Sequence, residues 1–330
     1  MFSLRPLQGE KTKMKIEKIA ILICTVALAG NSHCLAQTTS YSDVVGYETK
    51  SFVSGTTGHG YGLVGATKFQ GVATSVTSDT ITIGTTSFTA SAFAPSEGLP
   101  SHFIQITSGP NEGLVVDILG NTTTSITVGA GDLSGVTGTP NFVVRPHTKV
   151  SNLFQSNTGL TDYSDTVTLY NSDGTTTTLL RDSAQTTGWL DSGTFTASDA
   201  VIYPGQAFLL STSGPGSFTN TGVVNPSKTV VPIFAGLVNL VSLSNPSNGK
   251  DIQQINLGAN LADYADTVGT FSADGSLSQN NSLLWAGSAE GFLDSGTFGV
   301  ATGVNAGGTS ALLVNASGNT AWVQNSPLSQ

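Results

Sequence analysis

DYSDTV occupies residues 162–167, and DYADTV returns 101 residues later at 263–268. The recurrence is wider than the hexapeptide. LDSGTF at 190–195 reappears at 293–298, and QAFLLSTSG at 206–214 parallels TSALLVNASG at 309–318. Upstream, Pro146 lies 100 residues before Pro246, each closing an apolar run. Each proline is followed by a stretch that suits a short helical turn, HTKVSNLF and NGKDIQQINL. Self-similarity at this range is the signature of a duplicated folding unit. Within each copy the hexapeptide begins a strand, with Asp in the preceding turn and Val167 or Val268 directed inward.

Working outward, alternation of period two dominates the remaining chain and helical spacing is scarce. GVATSVTSDTITIG (71–84) predicts a hairpin around TSD. HFIQITSGPNEGLVVDIL predicts a second hairpin whose turn chemistry is Gly109-Pro110 and Gly113. TSITVG and NFVVRP add two strands, so residues 69–146 hold about six, enough for a small closed barrel or a sandwich. The expected fold is all-β: a small barrel-like or sandwich module inserted in, or followed by, two tandem related sandwich-like modules with short helical turns. The expected divisions are a leader at 1–36, an N-terminal β segment at 37–68, the small domain at 69–146, and repeat modules at 147–225 and 226–330. An echo between TKSFVSGTTGHGYGLVGATKF and SKTVVPIFAGLVNLVSLSNP aligns Gly62-Leu63-Val64 with Gly236-Leu237-Val238. That echo favours the insertion.

The first residues predict export. IAILICTVALAG (19–30) is a 12-residue apolar run behind Lys11, Lys13, Lys15 and Lys18, too short for a membrane span of roughly 20 residues. Small residues in CLAQ place cleavage between Ala36 and Gln37. Both cysteines, Cys24 and Cys34, leave with the leader, so the mature chain has no disulfide or thiol chemistry. It keeps 7 Lys+Arg against 19 Asp+Glu, which argues against nucleic acid and anionic membranes as partners. The rest of the chain has no further apolar stretch of spanning length, so no transmembrane anchor is expected in the mature protein.

DVVGYETKSF (43–52), FQGVATSVTSDTITI (69–83) with FIQITSGPNEGLVVDILGNTTTSITV (103–128), and YPGQAFLL (203–210) resemble an uncharacterised family of exported proteins known mainly from Verrucomicrobia and catalogued as conserved hypothetical. The resemblance runs over essentially the whole mature chain, and TSGPNEG with GNTTTSITV is its most specific part. It implies export, a β-rich fold and many paralogues, and carries no known activity, cofactor or catalytic residue. His147 stands where that family often shows an aromatic.

Several residue patterns invite a chemical reading. Asp162 with Asp165, and Asp263 with Asp266, are carboxylates three apart; Asp173 and Asp274 follow in repeated Asp-Gly pairs. Together they are the candidate ligands for calcium, which takes six to eight hard oxygens. Against this, Asp-Gly is also a common hairpin turn and no calcium-loop motif is present. Asp191 and Asp294 in LDSGTF superficially match the two-copy Asp-Ser-Gly signature of aspartic proteases, without the apolar surroundings that chemistry needs. His59, His102 and His147 are dispersed, with no metal spacing, and no Gly-x-Ser-x-Gly elbow occurs. Trp189 precedes the first LDSGTF and is replaced by Phe292 before the second, a swap that suits a core anchor.

No catalytic or cofactor-binding residue is therefore assigned, and calcium is the one cofactor considered. The expectation is an exported, non-enzymatic β-protein in the periplasm, at the cell surface or outside the cell, with a structural or adhesive role. Its expected partners are surface components, glycans or further copies of itself. A carbohydrate-binding accessory protein and a hydrolase using paired carboxylates are the alternatives.

Overall fold

The computed structural model describes residues 43–154, 159–244, 250–272, 275–306 and 311–326. The leader, Pro246 and Asp274 lie outside them. Of the described residues, 43% are strand and 4% helix. Two strands come first, β1 (Val45–Phe52) and β2 (Gly55–Gly60). Inward residues of β1 alternate from Glu48 through Lys50 to Phe52, as a half-buried strand of period two requires.

The small domain follows with eight strands, two more than the sequence suggests. They are β3 (Phe69–Val72), β4 (Ser75–Val76), β5 (Thr80–Thr82), β6 (His102–Ile106), β7 (Val115–Asp117), β8 (Gly120–Asn121), β9 (Ser125–Thr127) and β10 (Asn141–Pro146). Both predicted hairpins form, β4 with β5 and β6 with β7. The barrel alternative does not. The strands make two open sheets, β3-β10-β6-β7 and β4-β5-β9-β8, whose edge strands do not pair with one another. The reason is visible at Val72: β3 stops there, and within two residues the chain enters the opposite sheet as β4. Ile81, Ile104, Ile106, Ile118, Ile126, Phe142 and Val144 fill the space between the sheets and are essentially inaccessible to solvent.

The chain then completes the first repeat module. Its elements are β11 (Thr148–Lys149), the single helical turn α1 (Val150–Leu153), β12 (Thr166–Tyr170), β13 (Thr176–Arg181), β14 (Trp189–Asp191), β15 (Val201–Ile202), β16 (Ala207–Thr212) and β17 (Gly216–Val223). The main sheet runs β14-β13-β12-β16-β2, and β1 pairs with β17 as a separate ribbon. Phe52, Phe154, Val167, Leu169, Trp189, Phe208, Leu210 and Phe218 form the core between sheet and ribbon.

The second module repeats this order. It contains β18 (Thr229–Ile233), β19 (Asn239–Ser242), two 3-10 turns at Ile252–Gln254 and Leu257–Asn260, β20 (Thr267–Phe271), β21 (Leu277–Trp285), β22 (Phe292–Asp294), β23 (Ala311–Asn315) and β24 (Thr320–Gln324). Its sheet runs β22-β21-β20-β23-β19, with β18 and β24 as the ribbon. Strand for strand, β1 and β2 therefore correspond to β18 and β19. The small domain is an insertion into the first module. The echo in the sequence belongs to the right strands but in the wrong register, because Gly62–Val64 follows β2 whereas Gly236–Val238 precedes β19.

The modules meet through the outer faces of their sheets, where Ala207, Leu209, Leu240, Phe271, Ala311 and Leu313 cluster. Gly58 permits the approach: a Cβ there would lie 2.5 Å from the Phe271 ring. The inserted domain is joined to the second module by a hydrogen bond from Val230 N to the Gly113 carbonyl (3.0 Å) and one from Gln105 Nε2 to the Lys228 carbonyl (2.7 Å).

Candidate functional site

In DYSDTV the second aspartate is the structural one. Asp165 is fully buried, and its two oxygens accept from Thr161 N and Ser213 N, both at 2.8 Å. Asp266 repeats this with Ala262 N and Ser317 N, again at 2.8 Å. Each carboxylate clips the start of the central strand, β12 or β20, to the turn leaving β16 or β23. Backbone amides at charge-assisted distances occupy the oxygens that a metal would need.

The other candidate ligands are dispersed. Asp162 accepts from the Ser183 amide (2.9 Å) and hydroxyl (2.5 Å), with Arg181 Nε at 3.8 Å. Asp263 lies against Gly287, whose φ of +91° leaves room for the carboxylate that a Cβ would fill. Asp173 caps its own hairpin through the Thr175 hydroxyl (2.6 Å), the stronger influence, and amide (2.9 Å), which hold its carboxyl below the ordinary carboxylate range. Among the described residues, no group of three or more His, Cys, Asp or Glu side chains assembles as a cation site.

LDSGTF is a closed turn in both copies. Asp191 Oδ1 accepts from the amides of Gly193 (3.0 Å) and Thr194 (2.8 Å) and from the Thr194 hydroxyl (2.9 Å). Asp294 does the same with Gly296 and Thr297. The Thr194 and Thr297 amides, first among these bonds, hold both carboxyls low. This is the Asx-turn chemistry of an aspartate satisfying its own loop. It gives the two aspartates separate turns in place of a shared-proton dyad.

Of the histidines, His147 falls at a junction. His147 Nε2 is 2.9 Å from Asp117 Oδ1, and Tyr203 OH donates to Asp117 Oδ2 at 2.8 Å. Asp117 is on β7 of the inserted domain, while His147 and Tyr203 belong to the path into and through the first module. Burial, with the Asp117 charge adding to it, raises the Tyr203 phenol. His102 Nδ1 is 2.8 Å from Ser101 Oγ, and burial, followed by Lys68 and His147, lowers its ring pKa. Ser101 Oγ is itself engaged with the Ala94 carbonyl at 2.7 Å. The cluster has a His-Asp pair, with Tyr203 ordering Asp117. His147 itself is buried, so the pair serves to join the two domains.

What projects outward from the repeats is aromatic. Tyr163 and Tyr264 are 66% and 57% exposed, and Phe195 and Phe298 are 64% each. All four adopt left-handed backbone, with φ between 55° and 58°, a conformation uncommon for bulky residues. The tyrosines are braced: Tyr163 OH donates to Asp182 (3.0 Å) and Tyr264 OH to Glu290 (2.9 Å). Trp189 is buried in the first core, as its exchange for Phe292 predicts, and Trp322 is buried in the second. The signal for the exposed rings lay in the repeated motifs, each of which carries one ring.

Among the described residues, no helix is long and apolar enough to cross a membrane. No family model, no curated protein and no solved structure matches this chain.

Proposed function

We propose that the protein is an exported, non-enzymatic component of the cell surface or extracellular material, with a structural or adhesive role. The observation that carries this reading is the pairing of roles within each repeat. Carboxylates of DY(S/A)DTV and LDSGTF are committed to internal amides, while Tyr163, Phe195, Tyr264 and Phe298 face solvent at matching places. Evidently strained backbone at four repeated positions is retained where the side chain makes the surface, a pattern suited to contact rather than turnover. The resemblance to an exported family of conserved hypothetical proteins agrees with this reading.

Fractionation of native cells with an antibody to residues 37–330 tests it. Recovery in a sheared or detergent-resistant surface fraction is expected, and exclusive recovery in the cytosol overturns export. The same exposed rings favour a second reading, glycan binding, because flat rings stack on pyranose faces. Retention of the mature protein by a panel of insoluble polysaccharides, lost in Tyr163→Asn/Phe195→Asn, supports that reading; no retention on any member removes it. Asparagine is chosen because it tolerates left-handed backbone.

A further inference from the structure

The ribbon of the first module hides three polar side chains inside an apolar wall. Glu48 and Lys50 point inward from β1 and Asn220 from β17, at 6%, 3% and 5% exposure. The ribbon register sets Glu48 directly opposite Asn220 and Lys50 opposite Phe218, so Lys50 and Asn220 are diagonal neighbours on one face. Diagonal pairs are about 7–8 Å apart at the backbone, within the span of a lysine side chain. Lys50 Nζ lies 3.6 Å from Glu48 Oε2 and donates to the Gly60 carbonyl. Glu48 Oε1 and Asn220 Nδ2, an acceptor and a donor on facing residues, are buried and make no hydrogen bond. Phe52, Phe208 and Phe218 line the same core.

The second module shows that the fold does not need this arrangement. Ser211 and Asn315 are equivalent, opposite Thr166 and Thr267 respectively. Counting on from them aligns Phe218 with Trp322 and Asn220 with Gln324; the ribbon registers then align Lys50 with Val231 and Glu48 with Thr229. Gln324 is satisfied there, accepting from Ser244 N (2.7 Å) and donating to the Ser242 carbonyl (2.8 Å). In the second module an apolar residue and a satisfied amide occupy the places of Lys50 and Asn220.

We propose that Lys50 and Asn220 form an intramolecular isopeptide bond, with Glu48 as the proton carrier. Burial lowers the lysine pKa, which favours the neutral, nucleophilic amine. In the step, the proton of the Lys50 ammonium passes to Glu48, and the Nζ lone pair attacks Asn220 Cγ. The Cγ–Nδ2 bond breaks, one Nζ hydrogen is relayed through the carboxyl to the departing nitrogen, and ammonia leaves. Glu48 retains the proton it first received, so charge and hydrogens balance. The bond would tie the first described strand of the chain to the last strand of its module, across the whole inserted domain. A load applied at the N-terminus would then meet a covalent clip, and the proposal holds whichever surface role the protein has.

The test is peptide mapping of the purified mature protein by tandem mass spectrometry after trypsin. The expected product is residues 37–68, uncleaved at Lys50, joined to residues 182–228 with the loss of one ammonia. Intact mass alone is insufficient, because cyclisation of a Gln37 terminus or succinimide formation at Asn248-Gly249 also releases ammonia. Glu48→Gln should lower the yield of the branched peptide at least tenfold, since a positioned acid-base group contributes about 10²–10⁴ in rate. Lys50→Met, which imitates Val231, should abolish it while far-UV circular dichroism stays native. Recovery of linear 37–50 and 182–228 from folded wild-type protein, or an ammonia loss mapped elsewhere, overturns the proposal.

Discussion

Replacing Asp165 separates the clip from the calcium reading. In Asp165→Asn the side chain keeps one acceptor but turns an N–H toward one of the two backbone amides at 2.8 Å, Thr161 or Ser213. Hydrogen bonds to a charged group contribute about 1.5–3 kcal/mol each, and one lost together with a buried donor-donor contact costs about 3–5 kcal/mol. Against a total stability of about 5–15 kcal/mol this is a large fraction. At about 2–4 °C per kcal/mol for units of this size, melting should fall by roughly 6–20 °C. Asp266→Asn should behave alike in the second module. Asp173→Asn, in an exposed hairpin, should leave the melting temperature close to that of wild type. The assay is differential scanning calorimetry of the mature protein with EDTA and then with millimolar calcium. Equal losses for Asp165→Asn and Asp173→Asn would refute the clip. So would a wild-type transition that falls in EDTA and recovers with calcium, because the carboxylates would then be ligands first.

Further consequences follow from the packing and the turns. Gly58→Val should destabilise by about 1–3 kcal/mol, read as a lower urea midpoint, because its side chain must displace the Phe271 ring. Trp189→Ala should cost about 3–5 kcal/mol by chemical denaturation, whereas Trp189→Phe should cost less than about 1.5 kcal/mol, since Phe292 fills the equivalent place. Asp173, Asp191 and Asp294 have carboxyls held below 3.8. Depressed carboxyls add stability that is complete above the unfolded value and is lost as pH falls through the folded one, so melting temperature should drop below about pH 4. Converting all three to Asn should flatten that acid limb; an unchanged slope would show that these turns do not set it.

The sequence by itself determined the β class, the duplication, both hairpins of the inserted domain and the burial of Trp189. Each rests on a local or repeating pattern: alternation of period two, turn residues between apolar runs, and a large ring exchanged for another in the second copy. Tertiary structure decided the rest. Whether residues 69–146 close into a barrel depends on which edges meet, and strand period says nothing of edges. The register relating β1 and β2 to β18 and β19 is fixed by their partners, β17 and β16 in the first module and β24 and β23 in the second, far away in the chain. DYSDTV was legible as a repeated strand start, yet the division of labour inside it was not. Asp165 is buried where the Thr161 amide and the Ser213 amide beyond β16 converge on it, and Tyr163 is exposed with its hydroxyl held by Asp182. Glu48, Lys50 and Asn220 carried no motif at all. Only the pairing of strands 170 residues apart brings them to one face, and only the second module shows what an ordinary filling of that place looks like.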